Sequence, residues 1–208
     1  EDHHLVRQGL RALLEADPDF FIVGEMADGL TVAETVERLR PDVLLLDLML
    51  PGLSGLDVLR QIRTRAPGTR AIILSMHADR AYVVEALRNG AAGYVLKASD
   101  AAELACAVRE VAAGRRYLSP PLSGRIIEDY LDKVRTTARD PYDLLTDRER
   151  EVLHLILEGK TNAVIATRLS ISPRTVESHR AALVRKLGVT THVDLVLFAV
   201  RRGILPMK

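Results

Sequence analysis

Short, continuously apolar runs separated by helical patterns constrain the first half of this chain more than any other feature. Strands with one exposed face alternate apolar and polar residues, whereas strands covered by helices on both faces are apolar throughout. The sequence therefore predicts an α/β domain with a doubly wound parallel sheet, in which ligands bind at the carboxyl ends of the strands. The predicted strands lie at residues 21–23, 43–46, 71–74 and 93–96.

The first domain opens on a helical pattern at residues 5–14, with no apolar run before it. A repeat of strand and helix starts with a strand, so we expect a first strand ahead of residue 1. We place this domain at residues 1–114, a helical linker at 115–143 and a second domain at 144–208. Within the linker, Pro120 and Pro121 end the last helix of the first domain, and residues 122–135 again show a helical pattern.

The net charge of +1 conceals an asymmetry between the two parts of the chain. Residues 1–143 hold 18 Lys and Arg against 22 Asp and Glu, a net charge of −4, whereas residues 144–208 hold 11 against 6, a net charge of +5. A small basic domain that follows an acidic one is typical of a domain that binds the phosphate backbone of a nucleic acid and is regulated by its acidic neighbour in the chain.

The remaining composition indicates where such a protein works. Its single cysteine, Cys106, is expected to pack on the apolar side of a helix. No apolar run reaches the ~18 residues that cross a bilayer, and no signal peptide precedes the first helix. We therefore expect a cytoplasmic protein that has no membrane partner.

Polar side chains follow successive predicted strands. Asp47, Ser75 and Lys97 each come directly after an apolar run, and Asp2, with Glu1 beside it, would end the strand expected ahead of residue 1. The carboxyl ends of parallel strands meet at one edge, so we expect these groups to converge. Asp2 and Asp47 offer hard oxygen ligands suited to Mg²⁺. Lys97 and Ser75 can bind phosphoryl oxygens, and Asp47 then serves as the nucleophile that forms an aspartyl phosphate.

Three helical patterns with sharp starts mark the second domain. Thr146 and Glu149 have the spacing of a capping box. The pair Ser172-Pro173 provides an N-cap and a proline at the first helical position, and Gly188 ends that helix. Short helices joined by tight turns at this spacing predict a helix-turn-helix within an all-α domain of four helices. Its third helix would lie in the major groove of DNA.

The third helix of this domain separates an apolar side from a slim polar side with small residues in its middle. Such a polar side can enter the major groove and read base edges, while neighbouring groups bind phosphates and position the domain. Glu177 beside this face would accept a hydrogen bond from a cytosine amino group or repel a phosphate. The residues predicted to face bases are Arg174, Ser178, Ala181 and Arg185, flanked by Glu177, and those predicted to contact phosphates are Lys160, Thr161, Thr175 and Arg180.

The polar residues of the first domain resemble those of the receiver domain of two-component response regulators. The resemblance rests on the acidic pair at residues 1–2, on Asp47, Ser75 and Lys97, and on Leu50-Pro51-Gly52 after the carboxylate. It covers about residues 1–114.

This resemblance implies a phosphorylation switch. It makes Asp47 the phosphoacceptor of a partner histidine kinase, with Mg²⁺ as the cofactor. Asp2, Asp47 and the backbone carbonyl of Met49 become metal ligands, Glu1 acts on the metal indirectly, and Ser75, Tyr94 and Lys97 become switch residues.

Residues 144–205 resemble the DNA-binding domain of LuxR-type regulators, and both domains together resemble the NarL/FixJ family of response regulators. The resemblance makes residues 171–187 the recognition unit for double-stranded promoter DNA. It makes the last helix, near 192–202, a contact between the two chains of an active homodimer. Val193, Val196, Leu197 and Val200 give that helix an apolar stripe, part of which core packing explains equally well. The resemblance is carried by residues 145–153, Gly159, Asn162, Ile165-Ala166, Leu169, Ser172, Thr175-Val176, His179 and residues 186–189.

Two other functions are compatible with parts of this pattern. The first is a phosphorylation-independent DNA binder that uses its receiver only for dimerisation. The second is a phosphohydrolase with an aspartate nucleophile, which needs a second carboxylate as acid and base, usually two residues after the nucleophile. Met49 stands at that position, so we expect no enzyme.

Overall fold

The computed structural model describes residues 1–122, 141–201 and 204. The chain divides into two compact units, Glu1–Arg135 and Thr136–Lys208. None of the helices in these described ranges is both long and apolar enough to span a bilayer.

The first unit is built on four parallel strands that follow one another in sequence order. Val43 pairs with Arg70, Ile72 with Gly93, and Gly93 in turn with Tyr117. The strands are β1 (Val43–Asp47), β2 (Arg70–Ser75), β3 (Gly93–Leu96) and β4 (Tyr117–Leu118). The predicted parallel sheet is confirmed, and its apolar runs form the first three strands.

Helices of the described residues cover both faces of this sheet. Alternate residues of β2 divide between the faces: Ile73 packs with one set of helices, and Ile72 and Leu74 pack with the other. One face is covered by α2, α3 and α4, and the opposite face by α1 and α5. The helices are α1 (His4–Glu15), α2 (Gly29–Leu39), α3 (Gly55–Arg65), α4 (Arg80–Arg88) and α5 (Ala101–Ala112).

The helices that follow β1, β2 and β3 begin on short polar caps. Ser54, Asp79 and Asp100 accept hydrogen bonds from backbone N–H groups in the first turns of α3, α4 and α5. Since each cap follows the carboxyl end of a parallel strand, these helix starts lie along the same edge of the sheet as Asp47.

Two sequence expectations about this unit are wrong. Residues 21–23 form no strand, and Phe21 and Val23 are 84% and 56% exposed, because no strand among the described residues pairs with this segment. Cys106 is exposed rather than packed. It lies two residues from the buried Leu104, and two residues on a helix turn the side chain to the opposite side.

The predicted helical linker at 115–143 has a different beginning from the one expected. Its residues Tyr117–Leu118 form β4, and Leu122 belongs to the core that the sheet shares with α2, α3 and α4. A strand of two residues has too little apolar sequence to be recognised, and backbone pairing with β3 creates it. The predicted helix over 122–135 lies, from residue 123 onward, outside the described residues.

The second unit is helical. A 3-10 turn at Pro141–Leu144 precedes α6 (Asp147–Leu157), α7 (Asn162–Arg168), α8 (Pro173–Leu187) and α9 (His192–Arg201). Both halves of the predicted capping box are present at Thr146 and Glu149, and Gly188 ends α8 in the left-handed conformation, with φ of 67°. The predicted all-α domain of four helices is confirmed.

Candidate functional site

Asp47 ends β1 and is buried, with 4% of its surface exposed. Its Oδ1 accepts a hydrogen bond of 3.1 Å from the backbone N–H of Met49, and its Oδ2 lies 2.8 Å from the Nζ of Lys97. The carboxylate is therefore fixed at both oxygens, one by the chain that follows it and the other by a cation from the end of β3.

Lys97 joins two carboxylates. Its Nζ lies 2.7 Å from Oε2 of Glu1 as well as 2.8 Å from Asp47. Burial by itself lowers the pKa of Lys97, but its hydrogen bonds to Asp47 and Glu1, together with their charges, outweigh burial and hold that pKa above its ordinary value. The ammonium group is thus charged at neutral pH and bridges the carboxylates of Asp47 and Glu1.

The structure places Glu1 and Asp2 differently from each other. The side chain of Glu1 is 5% exposed and contacts Lys97, whereas that of Asp2 is 36% exposed and lies with its Oδ1 3.0 Å from Nδ1 of His3. Ligand atoms of Glu1, Asp2 and His3 lie within 4.8 Å of one another. Glu1 is therefore the member of the acidic pair that shares a cation with Asp47.

Ser75 and Tyr94 meet at the backbone of His77. The N–H of His77 donates to Oγ of Ser75 at 3.0 Å, and the hydroxyl of Tyr94 donates to the carbonyl of His77 at 2.8 Å. Burial of the fully enclosed Tyr94 ring raises its pKa to about 12. The neutral hydroxyl thus holds the loop after β2 to the core, and the ring lies inside the protein.

Ser119 is a residue that the sequence did not single out. From the sequence, Ser119-Pro120-Pro121 is expected only to end a helix. The side chain of Ser119 is fully buried, and its Oγ accepts a hydrogen bond of 3.1 Å from the N–H of Leu96, the residue before Lys97. No local pattern joins residues 96 and 119, because β3 and β4 meet only through the sheet.

The helix predicted to enter DNA, α8, buries Val176, Leu183 and Leu187. Thr175 is half-buried and its Oγ1 lies 2.8 Å from Oγ of the N-cap Ser172. The predicted contact residues Arg174, Glu177, Ser178, Arg180, Ala181 and Arg185 are all exposed on this helix, and Lys160 and Thr161 are exposed at the start of α7.

The first turn of α6 holds α8 in place. Oε2 of Glu149 accepts from the N–H of Thr146 at 2.7 Å and from Nζ of Lys186 at 2.6 Å. Burial raises the pKa of Glu149, but the hydrogen bonds from Lys186 and Thr146 outweigh burial and set that pKa below its ordinary value. A capping carboxylate therefore also fixes the C-terminal end of the helix that carries the predicted DNA face.

Two family profiles match the two units. Residues 1–109 match the response regulator receiver domain, and residues 143–199 match the bacterial regulatory proteins of the luxR family. The chain is a NarL/FixJ-type response regulator. Residues 110–142, which include β4 and Ser119, lie between the two matches.

Whole-length relatives support this membership. The response regulator is 34% identical to the transcriptional regulatory protein DegU of Brevibacillus brevis over 216 residues, which cover 98% of this chain and 92% of that protein. It is 36% identical to the oxygen regulatory protein NreC of Staphylococcus carnosus, over 99% of this chain and 96% of that one. The chain is therefore a DNA-binding transcriptional regulator with a receiver domain.

Solved structures share the fold of this response regulator. A two-component response regulator of the LuxR family from Aurantimonas has a TM-score of 0.59 and 38% identity, over 63% of this chain and 94% of that one. RcsB from Salmonella typhimurium has a TM-score of 0.55 and 27% identity, over 95% and 94%. Two RcsB dimers bound to two parallel DNAs give a TM-score of 0.56 and 27% identity, over 96% of each chain.

Proposed function

We propose that a partner histidine kinase phosphorylates this response regulator on Asp47, and that phosphorylation raises its affinity for promoter DNA as a homodimer. The observation that carries the proposal is the buried Asp47 carboxylate at a strand end, 2.8 Å from the Nζ of Lys97. Any buried aspartate needs a polar partner, so what favours a phosphoacceptor is where this pair lies. Asp47 and Ser75 end β1 and β2, and Lys97 directly follows β3, at the edge where a parallel sheet binds ligands. A phosphoacceptor also needs a cation beside the phosphoryl oxygens that it receives.

The transfer uses groups that already surround Asp47. A carboxylate oxygen attacks phosphorus, the bond from phosphorus to the kinase histidine nitrogen breaks, and its electron pair stays on that nitrogen. Lys97 can then pair with a phosphoryl oxygen instead of the carboxylate, since its ammonium is charged and already beside the attacking oxygens. The hydroxyl of Ser75, 1% exposed at the end of the neighbouring strand, would donate a hydrogen bond to another.

The donor groups at this edge fit Mg²⁺. Two largely buried carboxylates, those of Glu1 and Asp47, converge on Lys97 at this edge, and carboxylate oxygens are the hard ligands that Mg²⁺ prefers. Asp2, Asp47 and the carbonyl of Met49 would hold it, with Glu1 beside them. When bound, the ion would draw negative charge from the phosphoryl oxygens.

Ser75 and Tyr94 would transmit the effect of phosphorylation from Asp47 to the loop between β2 and α4. Both bind the backbone of His77, so a Ser75 hydroxyl that turns to the phosphoryl group releases one of the two hydrogen bonds that hold this loop. The loop leads directly into α4. We therefore place the surface remodelled by phosphorylation around α4, β3 and α5.

The DNA-facing step belongs to α8 and α9. The exposed residues of α8 offer two arginines, Arg174 and Arg185, with Ser178 and the small Ala181 between them, which is a surface that fits a major groove. On α9, Val193 and Leu197 are 65% and 47% exposed, which suits a contact between two copies on adjacent half-sites.

The proposal is tested by intact mass after incubation with a small acyl phosphate and Mg²⁺. We expect the wild type to gain one phosphoryl group, and Asp47→Asn or wild type with a metal chelator to gain none. Phosphorylated protein would then select duplexes from a random-sequence library, and both forms would be titrated with the selected duplex. Equal affinity of both forms would favour the phosphorylation-independent DNA binder, and steady release of inorganic phosphate from phosphoesters would favour the phosphohydrolase.

A further inference from the structure

Ser119 lies where the first unit passes from β4 to the chain leaving the sheet, and its surroundings are polar although it is fully buried. The hydroxyl contacts the N–H of Leu96 at 3.1 Å, the hydroxyl of Ser99 at 3.3 Å and, through a short hydrogen bond, Oε1 of Glu103. Three groups from the end of β3, the following turn and the first turn of α5 thus converge on one serine.

The chemistry of these partners fixes the direction of each hydrogen bond. The carboxylate of Glu103 only accepts, so the Ser119 hydroxyl donates its one proton there. The backbone N–H of Leu96 only donates, so it occupies a lone pair of Ser119, and Ser99 donates to the other. All the hydrogen-bonding capacity of this hydroxyl is used, which makes its orientation unique.

The hydroxyl replaces a backbone carbonyl in the sheet. The N–H groups of Tyr117 and Ser119 donate to Ala92 and Tyr94 at 3.1 and 3.0 Å, as a parallel ladder requires. The next contact of that ladder would send the N–H of Leu96 to the carbonyl of Ser119. That carbonyl instead accepts from the N–H of Leu122 at 2.8 Å, and the side chain takes its place.

Leu96 is the first residue of the turn that presents Lys97. The turn is closed by the N–H of Ser99 donating to the carbonyl of Leu96 at 2.9 Å, and the N–H of Lys97 donates to the carbonyl of Ser75 at 2.8 Å. Strand β2 thus holds the turn on one side. Ser119 holds it on the other, by the hydrogen bond to Leu96.

We infer that Ser119 is a positioning residue of the phosphoacceptor site, which holds the Lys97 turn so that the ammonium meets the oxygens on Asp47. The inference rests on the proposed function, and it adds a residue that lies outside both family matches. Ser119 itself touches neither Asp47 nor a phosphoryl group and acts only through Lys97.

The test measures the rate of phosphorylation of the full chain by a small acyl phosphate with Mg²⁺, followed by intact mass. Ser119→Ala leaves the N–H of Leu96 without a partner, and we expect labelling about tenfold slower than wild type, the rate loss that corresponds to one buried hydrogen bond. Ser119→Thr keeps the hydroxyl and should restore most of the rate. Lys97→Ala should be slow, and adding Ser119→Ala to it should slow it no further, since both act through one ammonium group.

Two variants separate positioning from loss of stability. Thr69→Val removes a hydroxyl that bonds the carbonyl of Pro41 at the opposite end of the strands, and it should label at the wild-type rate. Glu103→Ala removes a half-buried hydrogen-bond partner of the Ser119 hydroxyl, so it should slow labelling less than Ser119→Ala does. It also tests the inference if Ser119→Ala does not fold.

The possible results lead to different conclusions. A wild-type rate in Ser119→Ala would overturn the inference, as would an equal slowing by Ser119→Ala with and without Lys97. If Ser119→Ala does not fold, a wild-type rate in Glu103→Ala would overturn it. A wild type that gains no phosphoryl group would overturn the proposed function, and the inference with it.

Discussion

At the scale of single residues, the position of Asp47, the proposed phosphoacceptor, depends on a nearby glycine as well as on charged partners. Gly55 begins α3 and donates its N–H to the carbonyl of Leu48 at 2.9 Å. A Cβ added at Gly55 would lie 2.3 Å from the carbonyl oxygen of Asp47, closer than atoms in contact can come. Only glycine lets the helix start approach the end of β1 in this way.

Gly55→Ala should therefore displace the backbone of Asp47. We expect a loss of about 1–3 kcal/mol in the free energy of unfolding, as overpacked sites show, together with slower phosphorylation. Gly68→Ala is the matched control, because a Cβ there meets no atom within 4 Å. Denaturant unfolding and phosphodonor labelling of both variants check this, and a Gly55→Ala protein equal to wild type in both would refute it.

At the scale of elements, the sequence correctly predicted the strands and helix starts that are determined by local apolar runs and capping residues. The runs at 43–46, 71–74 and 93–96 became β1, β2 and β3, and the caps at Thr146 and Ser172 start helices as expected. The segment at 21–23 has strand composition but no paired neighbour in the described residues. β4 and the proposed role of Ser119 arise from pairing between residues 24 positions apart, which no local pattern records.

The capping carboxylate of α6, Glu149, also binds Lys186 near the end of α8, and the stability of this contact depends on pH. The pKa of Glu149 is lowered in the folded chain, so its stabilisation is fully present above its unfolded pKa and is lost as pH falls through the folded one. Glu149→Gln should lose about 1 kcal/mol at neutral pH, and its difference from wild type should shrink in acid, below about pH 4.

Amide hydrogen exchange of α6 and α8 in the full chain measures this stability directly. Glu151→Gln is a suitable control on the same helix, because Glu151 pairs with Arg148 and is not part of the capping box. A wild-type to Glu149→Gln difference that stays constant between neutral and acidic pH would contradict the assignment.

At the scale of the whole molecule, the second unit presents an apolar surface on α9. Leu195 and Ala199 are buried in the domain core, whereas Val193 and Leu197 on the same helix are largely exposed. Buried residues explain the folding of this helix, and the exposed ones are available to a second copy of the chain.

Leu197→Glu should therefore leave the fold intact and weaken dimeric binding to DNA. We expect phosphorylated variant and wild type to unfold alike, and the variant to bind a selected two-site duplex at least tenfold more weakly, because two like charges replace an apolar contact. Leu144→Glu, at a residue 50% exposed, is the control. Equal affinity of Leu197→Glu and wild type would place the dimer contact elsewhere.

The hydrogen bond from the backbone of Leu96 to the side chain of Ser119 also bears on how related genes can diverge in sequence. A hydrogen bond between two backbone groups survives almost any side-chain substitution, so point mutations leave most of the hydrogen bonds of a sheet in place. The last hydrogen bond of the sheet before Lys97 instead depends on the hydroxyl of Ser119, and a change of one codon can remove or restore that hydroxyl. If Ser119 positions Lys97 as proposed, duplicated copies of this gene can acquire different phosphorylation rates while every residue of the proposed phosphoacceptor site stays the same.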